Sequence, residues 1–141
     1  MKRMQGIILT LVILVLCIAG VALIIVTIPN KDVIILDDKS FLEDVAISED
    51  NITISCIISI ENKSESIKTV SIDGKLQEIV KNAVLKDATV RGKFALDNSE
   101  EIVIAPKEII KNVRIIFETT YSGEIQLKNR ELPKMEVMYV E

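Results

Sequence analysis

Hydrophobic and polar positions follow two regimes along this chain. From Gly6 to Ile28 every residue except Thr10, Cys17 and Thr27 is aliphatic or glycine, and no charge or proline interrupts the run. As a helix that stretch is about 34 Å long, enough to cross a hydrocarbon core of about 30 Å. Residues 6–28 are therefore expected to be a transmembrane helix, with the lipid bilayer as their partner. A cleaved signal peptide is the competing reading, but its apolar region is shorter, about 7–15 residues, and ends in a small-x-small site. The residues before Pro29 read Val-Ala-Leu-Ile-Ile-Val-Thr-Ile, and Cys17 follows Leu16 where a lipoprotein signal wants a small residue. An uncleaved signal-anchor is the expectation, ended by Pro29, which cannot continue a helix.

Beyond Pro29 the period drops to two. Ile52, Ile54, Cys56, Ile58 and Ile60 alternate with Thr53, Ser55, Ile57 and Ser59, the signature of a strand with one face buried. Ala88, Val90, Gly92, Phe94 and Leu96 alternate against Thr89, Arg91, Lys93, Ala95 and Asp97. Asp97-Asn98-Ser99 then makes a turn into Ile102 and Ile104, which predicts a hairpin. Ile109, Val113, Ile115 and Phe117 give the apolar face of a further strand reaching Tyr121, and Ser122-Gly123 is expected to reverse the chain into Ile125 and Leu127. A last strand starts near Lys134, with Met135, Val137 and Tyr139 on one face. Leu76, Ile79, Val80, Ala83 and Val84 instead follow a three-four spacing, which predicts a short helix over 76–84.

About seven or eight short strands separated by turns imply an all-β domain, a two-sheet sandwich of immunoglobulin or fibronectin type III-like kind. The organisation is then a cytoplasmic tail at 1–5, the transmembrane helix at 6–28, a tether with the first short strands at 29–48 and an extracytoplasmic sandwich at 49–141. An antibody-type domain is disfavoured, since the chain has no Trp and lacks the paired core cysteines.

Two segments carry a family resemblance. Residues 58–76, ISIENKSESIKTVSIDGKL, show an apolar strand, Asn-x-Ser, a gap and an alternating strand; residues 104–117 place Pro106 before a strand ending in Phe117. This pattern resembles the extracytoplasmic FxLYD and late-embryogenesis-abundant type 2 β-sandwich families, although the FxLYD motif itself is absent. The resemblance implies a secreted or membrane-tethered fibronectin type III-like sandwich, and no catalytic residues.

Charge orients the anchor and narrows the partners. Lys2 and Arg3 favour a cytoplasmic N-terminus, which puts the C-terminal domain outside the cell membrane. Of the formal net charge of −4 these two residues supply +2 to residues 1–28, which contain no acid, so the remainder carries −6. That sign argues against nucleic acid and against docking on anionic lipid. Cys17 and Cys56 fall in different regions and cannot pair within the chain, so the domain must fold on its apolar core.

The chemistry-bearing residues are sparse. With no histidine the chain lacks the usual general base and the commonest metal ligand, and no G-x-S-x-G, Walker, H-E-x-x-H or S-x-x-K pattern occurs. No catalytic, cofactor-binding or metal site is expected. The acidic pairs Asp37-Asp38, Glu43-Asp44, Glu49-Asp50 and Glu100-Glu101 match no calcium-loop spacing and read as solvated turns. Cys56 reads as a small buried residue. Asn51-Ile52-Thr53 and Asn62-Lys63-Ser64 match the N-glycosylation pattern, but the Ile- and Lys-rich composition suits a prokaryote, and both read as strand and turn residues. Lys107, Lys111 and Arg114 are expected on the solvent side of a strand, while Tyr121 and Tyr139 either close the sandwich ends or project as contacts. The expected role is a non-enzymatic interaction or structural module of the cell envelope, meeting a protein or polymer. The alternative is binding of an apolar or lipid-like ligand between the sheets. An unrecognised hydrolase is the third reading, and it would need a cleft with convergent polar groups.

Overall fold

The computed structural model describes residues 31–141; residues 1–30, with the expected tail and transmembrane helix, lie outside the described residues. Among the described residues no helix is long and apolar enough to cross a membrane. Residues Asp32–Glu141 form one unit. It is all-β, with two antiparallel sheets.

In chain order the strands are Val33–Ile35 (β1), Phe41–Ile47 (β2), Asn51–Asn62 (β3), Lys68–Lys75 (β4), Val80–Leu85 (β5), Thr89–Arg91 (β6), Lys93–Phe94 (β7), Ile102–Ile104 (β8), Ile109–Leu127 (β9) and Lys134–Tyr139 (β10). The first sheet runs β1-β3-β9-β5, with β2 also on β3 and β7 also on β9. In the second sheet β4 lies between β10 and β6, and β8 also pairs with β4. The short strands expected in 29–48 are β1 and β2, both laddered onto β3.

The alternation in β3 does what its periodicity requires. Ile52, Ile54, Cys56, Ile58 and Ile60 are all fully buried, and they meet Ile115 and Phe117 of β9 and Val70 and Ile72 of β4 in one core. Each of the isoleucine, valine and phenylalanine side chains contributes about 1.5–3 kcal/mol by leaving water. The Phe117 ring lies against two glycines, where a Cβ on Gly74 would approach Phe117 Cε1 to 2.9 Å and one on Gly92 would overlap Ile115. Gly92 is the single residue between β6 in the second sheet and β7 in the first, and its N–H still donates to the Ile72 carbonyl at 2.8 Å. The chain changes sheets there because a bare backbone can cross directly above Ile115 and Phe117.

Several expectations about the strands are corrected. Residues 76–84 are not an α-helix: a 3-10 turn at Gln77–Ile79 leads straight into β5. The three-four spacing arises because Asn82 has a left-handed backbone (φ 62°) where the β5–β9 register shifts, so Val80 and Ala83, three apart, both point inward. Ser122-Gly123 makes no reversal, since β9 runs unbroken through it to Leu127. Gly123 takes φ +96° opposite Ala83, where a Cβ would come within 2.9 Å of the Asn82 carbonyl oxygen. The expected hairpin of 88–96 with Ile102 and Ile104 does not form: β7 ladders onto β9 and β8 onto β4, in opposite sheets. In β9 the inward residue below Val113 is Ile110 and not the exposed Ile109, because Asn112 (φ 55°) shifts the alternation by one.

Candidate functional site

The first half of β9 is laddered unequally on its two edges. One edge is laddered to β3 along its length with one register shift at Lys111 and Asn112, but on the other β7 pairs only Lys93 with Ile116 and Phe94 with Ile115, and Ala95 N–H donates to the Arg114 carbonyl at 3.0 Å. The chain then leaves the edge. Phe94 N–H donates to the Ser99 carbonyl (2.7 Å) and Asn98 N–H to the Phe94 carbonyl (2.9 Å), closing a tight loop in which Asn98 has φ 58°. Asp97 Oδ1 accepts the Ser99 N–H at 3.0 Å, and Ser99 Oγ accepts that of Glu101 at 3.0 Å, so short polar side chains hold the loop. Its last residues enter β8 in the other sheet.

Below Arg114 no strand among the described residues takes this edge of β9. The Glu108 carbonyl faces β3, accepting the Asn62 N–H at 2.9 Å, so the main-chain groups of Ile109 and Lys111 aim away from β3. Between that open edge and the 94–102 loop lies a groove of about 550 Å³. Its apolar lining comes from Phe94 and Ile102 on the loop side, with exposed Leu96 at the border, and from Ile57, Ile110 and Val113 on the strand side. Its rim is charged and divided by sign, with Asp97 and Glu101 on the loop side and Lys111 and Arg114 on the strand side. Arg114 is bonded to Glu43, the extra residue where the β2–β3 register shifts, and that carboxylate holds the guanidinium above its ordinary pKa. Lys111 makes no hydrogen bond or ion pair within the described residues.

Leu96 is 98% exposed, the most exposed large apolar side chain among the described residues. The alternation of 88–96 had placed it on an inward face, a correction that follows from the strand ending at Phe94. Only the adjacent Asp97-Asn98-Ser99 turn signals that Leu96 belongs to a loop. Arg114 and Lys111 sit on a strand as expected. Lys107 does not: it occupies the Ala105–Glu108 turn with φ 59° after Pro106, its ammonium on the Lys63 carbonyl (2.7 Å) and Glu65 (2.9 Å).

The remaining candidates serve the fold. Cys56 is fully buried, and burial first, then the Glu43 charge, push its thiol up to about 12, which keeps it protonated and unreactive. Asn62 is fully buried: its Nδ2 donates to the carbonyls of Ser66 (2.8 Å), Ile104 (3.1 Å) and Ala105 (3.0 Å), while its Oδ1 accepts from Ser64 N (3.0 Å) and Oγ (2.8 Å). That amide joins the two sheets and is closed to glycosylation. Asn51 Nδ2 donates to Asp50 Oδ1 at 3.2 Å. Tyr121 Oη donates to the Ser48 carbonyl at 2.7 Å, and Tyr139 Oη accepts the Val33 N–H at 3.0 Å, tying β10 to β1. The acidic pairs lie on separate stretches of chain, and among the described residues no three carboxylates or thiols gather as a metal site.

No family model matches this chain, and neither does any curated protein or solved structure.

Proposed function

We propose that this chain is a membrane-anchored, extracytoplasmic β-sandwich that acts as a non-enzymatic interaction or structural module of the cell envelope. The observation that carries the reading is the groove beside β9: an apolar trough with a rim of both signs, bordered by an exposed leucine. The unbroken apolar run of residues 6–28 supports the anchor, and Lys2 and Arg3 support a cytoplasmic N-terminus. Two antiparallel sheets sharing one core support the immunoglobulin or fibronectin type III-like assignment, as does the resemblance of residues 58–76 and 104–117 to extracytoplasmic sandwich families.

The test has two arms in intact cells. External protease is expected to digest the domain, and a photo-crosslinking residue at Leu96 is expected to capture a macromolecular partner. A protected domain refutes the location, and no adduct at Leu96 refutes the contact surface. A second reading, an apolar or lipid-like ligand, is favoured by the meeting of Ile102 from one sheet with Ile110 and Val113 from the other. It requires a radiolabelled fatty acid to label the chain in a manner lost on Val113→Asp substitution.

A further inference from the structure

We propose that the groove is a self-association site, at which two copies of this chain meet about a two-fold axis. Each copy places Leu96 in the other's groove and Asp97 against the other's Lys111. The inference rests on the groove being the contact surface and goes beyond it by naming the occupant.

The argument is self-complementarity. A two-fold contact brings each surface against its own copy rotated by half a turn, so any feature on one side of the patch meets the feature on the other side, twice. Here one side of the groove is a loop with an exposed apolar tip followed by acids, Leu96 then Asp97 and Glu101. The other side is an apolar strand face, Ile110 and Val113, followed by bases, Lys111 and Arg114. Rotation lays tip on trough and acid on base at both ends. Arg114 is already engaged by Glu43, whereas Lys111 has no partner among the described residues and the Asp97 carboxylate accepts only the Ser99 N–H. Lys111 and Asp97 are thus the pair left to bond across the axis. The net charge of −6 after the anchor run makes two copies repel as wholes, and the bipolar rim offers opposite charges that locally offset that repulsion. Two anchors held in one bilayer raise the effective concentration of the domains and so favour this contact.

The test uses the full chain in detergent, with mass followed by sedimentation over a range of protein concentration. Leu96→Asp is expected to leave it monomeric. Asp97→Lys and Lys111→Asp are each expected to weaken association about tenfold, and the combined charge swap to restore most of it. Circular dichroism checks that each variant is folded, and recovery in the double variant separates a charge pair from a folding defect. A wild-type chain that is monomeric throughout, or a dimer indifferent to the swaps, overturns the proposal. In cells, a photo-crosslinking residue at Leu96 should give an adduct of twice the chain mass. An adduct only with a different protein overturns self-association while leaving the contact surface in place, and no adduct overturns both.

Discussion

β3 and the first half of β9 lie side by side in one sheet, yet they are built to opposite ends. β3 carries β1 and β2 on one edge and β9 on the other, and its inward isoleucines are wholly buried. Across the ladder, β9 begins with exposed Ile109, Lys111 and Asn112, has its alternation shifted by a left-handed asparagine, and faces a groove along its far edge. Pairing along both edges makes β3 a source of stability, and only its outward Ile57 reaches the groove. Sparse pairing on its far edge costs the first half of β9 some enclosure and leaves main-chain groups, apolar area and both signs of charge facing outward.

Substitutions along the two strands should separate these roles. Ile58→Ala is expected to cost about 2–5 kcal/mol, read as the urea midpoint of the detergent-solubilised chain; a loss no larger than that of Ile110→Ala would erase the contrast. Asn62→Ala should cost about 1–3 kcal/mol, because the Ile104 carbonyl it caps is buried with it. Asn112→Ala should cost about 1 kcal/mol through the left-handed backbone, with Asn112→Gly close to wild type. Leu96→Asp should move stability by less than about 0.5 kcal/mol, so any loss of association it causes is a surface effect.

A pH series adds a sign. The buried Cys56 thiol is held protonated, so its contribution to stability is whole below the ordinary thiol pKa of 9.0 and is lost as pH rises from there toward about 12. Cys56→Ala should flatten that alkaline limb, as measured by unfolding midpoints between pH 8 and pH 11.

The same contrast explains what could be read from residues alone. β3 was legible because nothing interrupts its period, and each of its inward side chains is where the alternation put it. Where an asparagine adopts a left-handed backbone, as at Asn82 and Asn112, the inward positions fall three apart and mimic a helix at 76–84 or shift the face to Ile110. Gly123 reads as a turn for the same reason that it fits its strand: it alone accepts the positive φ opposite Ala83. The hairpin of 88–96 failed at Gly92, since alternation records which face a residue takes and not which sheet its strand joins. The groove was the least legible feature. Its walls come from β3, β7, β8, β9 and one loop, and Leu96 fits an inward pattern until the strand is seen to end two residues earlier.

The most direct measurement of the account is amide hydrogen exchange on the full chain, compared between residues 52–60 and the two sides of the groove, 94–102 and 109–114. The β3 amides should exchange only through global unfolding, whereas the groove amides should exchange by local opening and slow when the chain associates. Equal protection in both regions, unchanged by association, would contradict the division between a closed core and an open contact surface.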